Sequence, residues 1–164
     1  MLSAVMDDLL VANRSYVSTF DLAGIPARAA RGFALVTCMD SRIEPLRMLG
    51  LAPGDAKILR NAGGRVTLDA LRSLVLATHL LGVHRIAVMH HTDCAMAHRT
   101  DEDIRAILPA EAVDWEFLAM PDPEEALRHD VAVLRACTLL PPGTHVEGWR
   151  YHVESGLVEP VVPG

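Results

Sequence analysis

Phe33-Ala-Leu-Val-Thr-Cys38 is an uncharged run of six residues that leads straight into Met39-Asp-Ser-Arg42. A continuous apolar run this short reads as a strand buried on both faces, as in a parallel sheet with helices over it. Two further runs support that reading. One is Lys57–Asn61, entered through the turn residues Gly50, Pro53 and Gly54; the other is Arg85–His90, which delivers His91 and Cys94 just past its end. Between them Thr67 can cap a helix with Leu71, Leu74, Val75, Thr78 and Leu81 on its core face, closed by Gly82. Strand alternating with helix gives an α/β fold.

The flanking segments fit around that centre. Residues 2–13 predict a helix with Leu2, Val5, Met6, Leu9 and Leu10 on one stripe. Glu44–Leu49 and Glu102–Leu108 predict short helices. Asp122-Pro-Glu-Glu125 is a helix start, with a cap residue, Pro in the first turn and an acid at the third position. That helix buries Leu127, Val131 and Leu134 and breaks at Pro141-Pro-Gly143. A closing hairpin, His145–Val153 and Leu157–Val161, turns at Ser155-Gly156 and adds an antiparallel edge. The expectation is one domain, 1–164, with a mainly parallel central sheet, an antiparallel edge strand and helices on both faces. No repeat or linker divides it.

At 164 residues the chain is 51% hydrophobic but only 4% aromatic, so Leu, Val, Ala, Ile and Met must build the core. So apolar a chain is expected to hide surface in a partner subunit. A net charge of −6 argues against a nucleic-acid surface. No stretch is apolar and long enough to span a membrane, and the start carries Asp7 and Asp8 without a basic n-region, so a cytoplasmic location is expected. An odd count of three Cys makes a disulfide framework unsuitable.

Cys38, His91 and Cys94 form the chemical centre of this reading. A lone Cys on a buried strand is a small hydrophobe, and a single His-x-x-Cys spacing arises by accident. Together at two strand ends they suit Zn²⁺, with three protein ligands and a fourth position left for water or substrate. In open α/β sheets, ligands bind at those carboxyl ends. Asp40 and Arg42 follow Cys38 closely enough for the arginine to hold the carboxylate in a fixed orientation, where it can accept a proton from water on the metal. If Arg42 lets go, Asp40 can swing onto the metal as a fourth ligand and close the site. Arg60-Asn-Ala-Gly-Gly64 is either a strand–helix turn or a seat for a small anion such as bicarbonate. Cys137 reads as core, and His90 as packing or support for His91. His79, His84, His129, His145 and His152 read as solvated or packing residues; His98 could move protons at the site mouth.

Cys38-Met-Asp-Ser-Arg42, Arg60-Asn-Ala-Gly-Gly64 and His91-Thr-Asp-Cys94, in this order, resemble the β-class carbonic anhydrases, and most closely their short bacterial branch. The resemblance runs from the first helix to the last hairpin. It implies one zinc per subunit on Cys38, His91 and Cys94, with Asp40 and Arg42 as a catalytic dyad. It also implies four parallel strands with an antiparallel edge, and a homodimer or homotetramer in which residues 1–31 pack on a neighbouring subunit. The implied activity is reversible hydration of CO2 to bicarbonate by zinc-bound hydroxide. Carbonyl sulfide or carbon disulfide hydrolysis on the same zinc is the alternative, and a closed, non-catalytic zinc protein a second. One departure stands out: the family commonly has Gly after the last Cys ligand, and Ala95 here could narrow the pocket or conflict with a positive φ.

Overall fold

The computed structural model of the chain describes residues 4–164, so Leu2 of the first predicted stripe lies outside the described residues. Five strands, β1 (Phe33–Cys38), β2 (Ala56–Asn61), β3 (Arg85–His91), β4 (His145–Tyr151) and β5 (Val158–Val162), form one sheet in the order β2-β1-β3-β4-β5. β1 to β4 are parallel, and β5 returns antiparallel along β4. The mainly parallel sheet with an antiparallel edge is therefore the fold that the strand pattern predicted. All six residues of β1 are buried, as its unbroken apolar run requires.

Parallel crossovers are right-handed. The step from β1 to β2 runs one way along the sheet, while β2 to β3 and β3 to β4 run the other, so the connecting helices fall on opposite faces. On one face lie α3 (Leu68–Leu80) and α5 (Pro123–Ala136). They bury Leu74, Ala77, Leu127, Val131 and Leu134 against Ala34, Val36, Ile86 and Val88. The other face, carrying Leu35, Ala87 and Met89, is covered among the described residues by the single turn α2 (Pro45–Met48) and by short segments that bring Ile43, Met96 and Met120 over it. Helices occupy both faces, but one layer is thick and the other thin.

Local chemistry sets the helix ends. Thr67 caps α3 by accepting from Ala70 N–H, and Asp122 caps α5 by accepting from the N–H groups of Glu124 and Glu125. α3 turns a slightly different stripe inward than predicted: Ala70, Leu74 and Ala77 are buried, while Leu71 and Val75 flank them half-buried. Alanines let the helix approach the sheet closely, and the longer side chains cover the flanks. α4 (Asp101–Ala106) starts at a Thr100/Asp103 capping box and ends two residues short of the predicted Leu108. α1 (Asp7–Val17) continues from a 3-10 turn at Ala4–Met6, ends later than the predicted residue 13, and buries none of its residues within the chain.

Candidate active site

Cys38 ends β1 and His91 ends β3, the two neighbouring central strands at which the crossover direction reverses. Chain leaving these strands goes to opposite faces, so a crevice opens between their carboxyl ends. After His91 a tight turn through Asp93, at φ 54, brings Cys94 back beside Cys38. The ligand atoms of Cys38, His91 and Cys94 all lie within 4.8 Å of one another, and all three residues are buried. A tetrahedral zinc sets such atoms about 3.5–3.8 Å apart, so a small contraction would close the set around one.

The donor set fits a metal on its own chemistry. His91 Nδ1 lies 2.8 Å from the Thr92 carbonyl, which can only accept, so Nδ1 carries the proton. His91 Nε2 is buried and has no hydrogen-bond partner among the described residues. An imidazole fixed on its far side, with a bare buried nitrogen on its near side, is arranged as metal ligands are. The neighbouring Cys94 is the main cause that lowers the Cys38 pKa, with His91 and the backbone at Asp40 and Gly63 adding to it against the effect of burial. The same contact, with burial, pushes Cys94 up. Burial disfavours a charged His91, but Cys38 and the Thr92 carbonyl outweigh it and raise its pKa.

Asp40 and Arg42 meet as a fork. Arg42 Nε donates to Asp40 Oδ1 at 3.0 Å and Nη2 to Oδ2 at 2.8 Å, while the Arg42 backbone N–H donates to Oδ1 at 2.9 Å. These bonds hold the Asp40 carboxyl well below the usual carboxylate range. Its Oδ2 stands 3.9 Å from His91 Nε2, so the carboxylate borders the ligand cluster while remaining in the arginine's grip. Two supports escaped the sequence reading. Asp93, inside the His-Thr-Asp-Cys motif, accepts from Arg42 Nη1 at 2.8 Å through Oδ2 and from Nη2 at 3.1 Å through its carbonyl. Arg60 spans from β2 to donate to the carbonyls of Cys38 (3.0 Å) and Asp40 (2.6 Å), bracing the chain on either side of Met39. The parallel pairing of β1 with β2 sets Arg60 opposite Thr37, a register that the motif alone did not reveal.

The glycine loop packs directly on the end of β1. Gly63 and Gly64 have φ of 78° and 70°, and a Cβ on Gly64 would stand 2.8 Å from Cys38 N and Thr37 C. The glycines let the loop press against the Cys38 backbone. Ala95 takes no positive φ, since Asp93 and Leu118 are the non-glycine residues that do among those described; its methyl simply lines the cleft. That cleft, about 410 Å³, is walled by Met39, Ala62, Ala95 and Met96, with Asp40 and Arg42 on its polar side. His98 is exposed beside it, with Nε2 at 3.3 Å from Asp93 Oδ1. His90 points to the opposite side from His91 and meets the Pro123 carbonyl (3.2 Å), and Cys137 packs against the core.

Two thiols and an imidazole at the switch point of a parallel sheet, bordered by an arginine-held carboxylate, define an α/β metalloenzyme. Residues 33–113 match the family model described as carbonic anhydrase. The chain is 35% identical to β-carbonic anhydrase 1 of Mycobacterium tuberculosis, over 97% of this chain and 99% of that protein. The crystal structure of carbonic anhydrase from Streptococcus mutans superposes with a TM-score of 0.90 at 41% identity, covering 98% of this chain and 99% of that one. A carbon disulfide hydrolase of an Acidianus strain is 35% identical over 80% of this chain and 77% of its own length. The chain belongs to the β-carbonic anhydrase family, whose members are zinc enzymes, and zinc is its metal.

Proposed function

We propose that this chain catalyses the reversible hydration of CO2 to bicarbonate and a proton, with Cys38, His91 and Cys94 holding zinc and with Asp40 and Arg42 as the catalytic dyad. The observation that carries this reading is the Asp40–Arg42 fork, whose carboxylate lies 3.9 Å from the bare nitrogen of His91. Zinc bound there supplies a Lewis acid that lowers the pKa of water and makes a nucleophile near neutral pH. Two thiolates offset much of the metal's charge, so an oriented acceptor beside the water matters more here than among neutral ligands. Asp40 supplies it. A carboxylate held so low by Arg42 is a weak base, so Asp40 acts chiefly as an ionised acceptor that fixes the water's hydrogen and aims its lone pair. Met39, Ala62, Ala95 and Met96 offer apolar walls suited to a linear, uncharged substrate.

Stopped-flow CO2 hydration on zinc-quantified protein from neutral to alkaline pH tests this, with Asp40→Asn as control. Fast turnover that falls about 100-fold or more in the variant while zinc is retained is the expected result. Full zinc with no turnover at any pH would move the assignment to carbon disulfide or carbonyl sulfide. That second reading is favoured by the 35% identical carbon disulfide hydrolase and is scored by sulfide release in the same assay. Inactivity on all three substrates would leave a closed zinc protein in which Asp40 is a ligand.

The protein is inferred to act as a homodimer or homotetramer, with the arm of residues 1–31 on a neighbouring subunit. α1 buries none of its residues, and Leu9, Val11, Tyr16 and Val17 on it are exposed. A cytoplasmic location fits three free cysteines; among the described residues no helix is long and apolar enough to cross a membrane.

A further inference from the structure

The Cys38 and His91 segments share one buried contact that the proposed chemistry does not use. Asp130, 1% exposed in the middle of α5, accepts from Arg65 Nε at 2.7 Å and from Nη2 at 3.1 Å. Both side chains are nearly closed to solvent. Apolar residues of similar volume often serve stability as well as a buried ion pair does, or better, so what such a pair holds in place is the informative question.

Arg65 directly follows the glycine loop that presses on Cys38. Its N–H and carbonyl are both clipped to the Asn61 side chain at 2.7 Å, and its Nη1 donates to the Leu118 carbonyl at 2.7 Å. The next N–H, of Val66, also reaches Asp130 Oδ2, at 3.3 Å. Gly64 lies against the Cys38 backbone, where an added Cβ would stand 2.8 Å from Cys38 N. On its other side, Asp130 Oδ2 stands 3.5 Å from the buried Nε2 of His90, the residue just before His91. At that distance the contact is longer than a full hydrogen bond, and His90 Nε2 has no other partner among the described residues.

We infer that Asp130 is a positioning residue for the metal site: one buried carboxylate on α5 fixes, through Arg65, the glycine loop behind Cys38 and, through His90, the strand end that carries His91. This rests on the assignment of Cys38 and His91 as zinc ligands. It concerns residues that touch neither zinc nor substrate, and its consequence is the stiffness of the ligand set.

The test uses the metal-loaded protein and three variants: Asp130→Asn, Arg65→Lys, and Arg65→Leu with Asp130→Leu. Arg65→Lys keeps the charge balance but cannot span Asp130 and Leu118 together. The double variant removes the buried charges and is expected to melt near the parent temperature. Two readouts besides turnover are followed: zinc release to a chelator, and the thiolate-to-metal charge-transfer band of the cobalt-substituted protein. Release at least about tenfold faster, with a shifted or weakened band, is expected in Asp130→Asn and in the double variant, and a smaller change in Arg65→Lys. A double variant with parental release and band would overturn the inference, because Asp130 would then only neutralise Arg65. If Asp130→Asn fails to fold, the other two variants decide. Absent CO2 turnover in the parent would sink the proposed activity while leaving these metal readouts to judge Asp130.

Discussion

At Gly64 an added Cβ would come within 2.8 Å of Cys38 N while the backbone keeps φ at 70°; at Gly50 the φ is similar, 63°, but nothing lies within 4 Å. The pair separates backbone strain from crowding. Gly50→Ala should cost only the left-handed penalty, about 1–2 kcal/mol. Gly64→Ala should cost clearly more and should also lower zinc content, because the clash falls on the chain segment that aims a ligand. Urea melts with metal analysis check this, and equal costs with full zinc in both would refute it. The cluster of Cys38, His91 and Cys94 and the Asp40–Arg42 pair were readable because each lies in short contiguous motifs whose strand context the apolar runs define. Asp130 was not, because its partner Arg65 is 65 residues away. The sequence did carry a signal for it: Leu127, Asp130, Val131 and Leu134 share one helical stripe, and an acid on a core stripe must find a partner. The groups facing Asp130 are Arg65, His90 and the exposed His129, whose Nδ1 is 3.4 Å from Oδ1. Burial alone would raise the Asp130 carboxyl, but His90 and Arg65 hold it well below the usual range. Its folded pKa is therefore depressed, so its contribution is fully present above about pH 4 and is lost as pH falls below that toward the folded value. Thermal melts from pH 6 to 3 should show an acid limb that is shallower in Asp130→Asn; identical limbs would exclude Asp130 as a source of acid lability.

Helix α5 carries both the Asp130 anchor and, at its first residue, the Pro123 carbonyl that meets His90. Its amino end depends on the two bonds that Asp122 accepts from Glu124 N–H (3.1 Å) and Glu125 N–H (2.9 Å). Asp122→Ala should cost about 1 kcal/mol and lower the melting temperature by about 2–4 °C. Zinc content should hold, since Asp130 lies two turns further along. A loss of zinc matching the loss of stability would mean that the His90–Pro123 contact governs the site more than Asp130 does. Elements with strong local signals were legible to within a residue or two: the caps at Thr67 and Asp122, the strand β1, and the hairpin of β4 and β5. Those without one drifted. α1 runs to Val17, beyond its predicted end at residue 13, because its apolar spacing continues through Val11 to Val17 and none of its residues is buried to mark a limit. On α3 the predicted Leu74 is the centre of the buried stripe, but Ala70 and Ala77 join it while Leu71 and Val75 flank it, a choice that depends on interlayer distance rather than on hydrophobicity.

Taken whole, the chain has one well-covered sheet face and one thin one, and an amino-terminal helix with an uncovered apolar side. Phe33 and Trp149 stack at 5.8 Å on the thin face, with Leu49 and Leu51 beside them half-exposed to a groove of about 330 Å³. At the other end of the chain, Tyr16 and Phe20 pair edge to face at 5.7 Å on α1 and the turn after it, both about half-exposed. Exposed apolar surfaces of this kind are what the proposed assembly would cover. A copy lacking residues 1–17 loses no buried side chain of α1 and should keep its sheet, its circular dichroism and its zinc. What it should lose is assembly: sedimentation at micromolar concentration is expected to show a multiple of the 17.8 kDa chain for the full protein and a monomer for the shortened one. If the shortened chain sediments as the same multiple, the thin sheet face or another surface builds the interface without the arm. If it also sheds zinc, the arm reaches a neighbouring site, and the active unit is then a pair of chains rather than one.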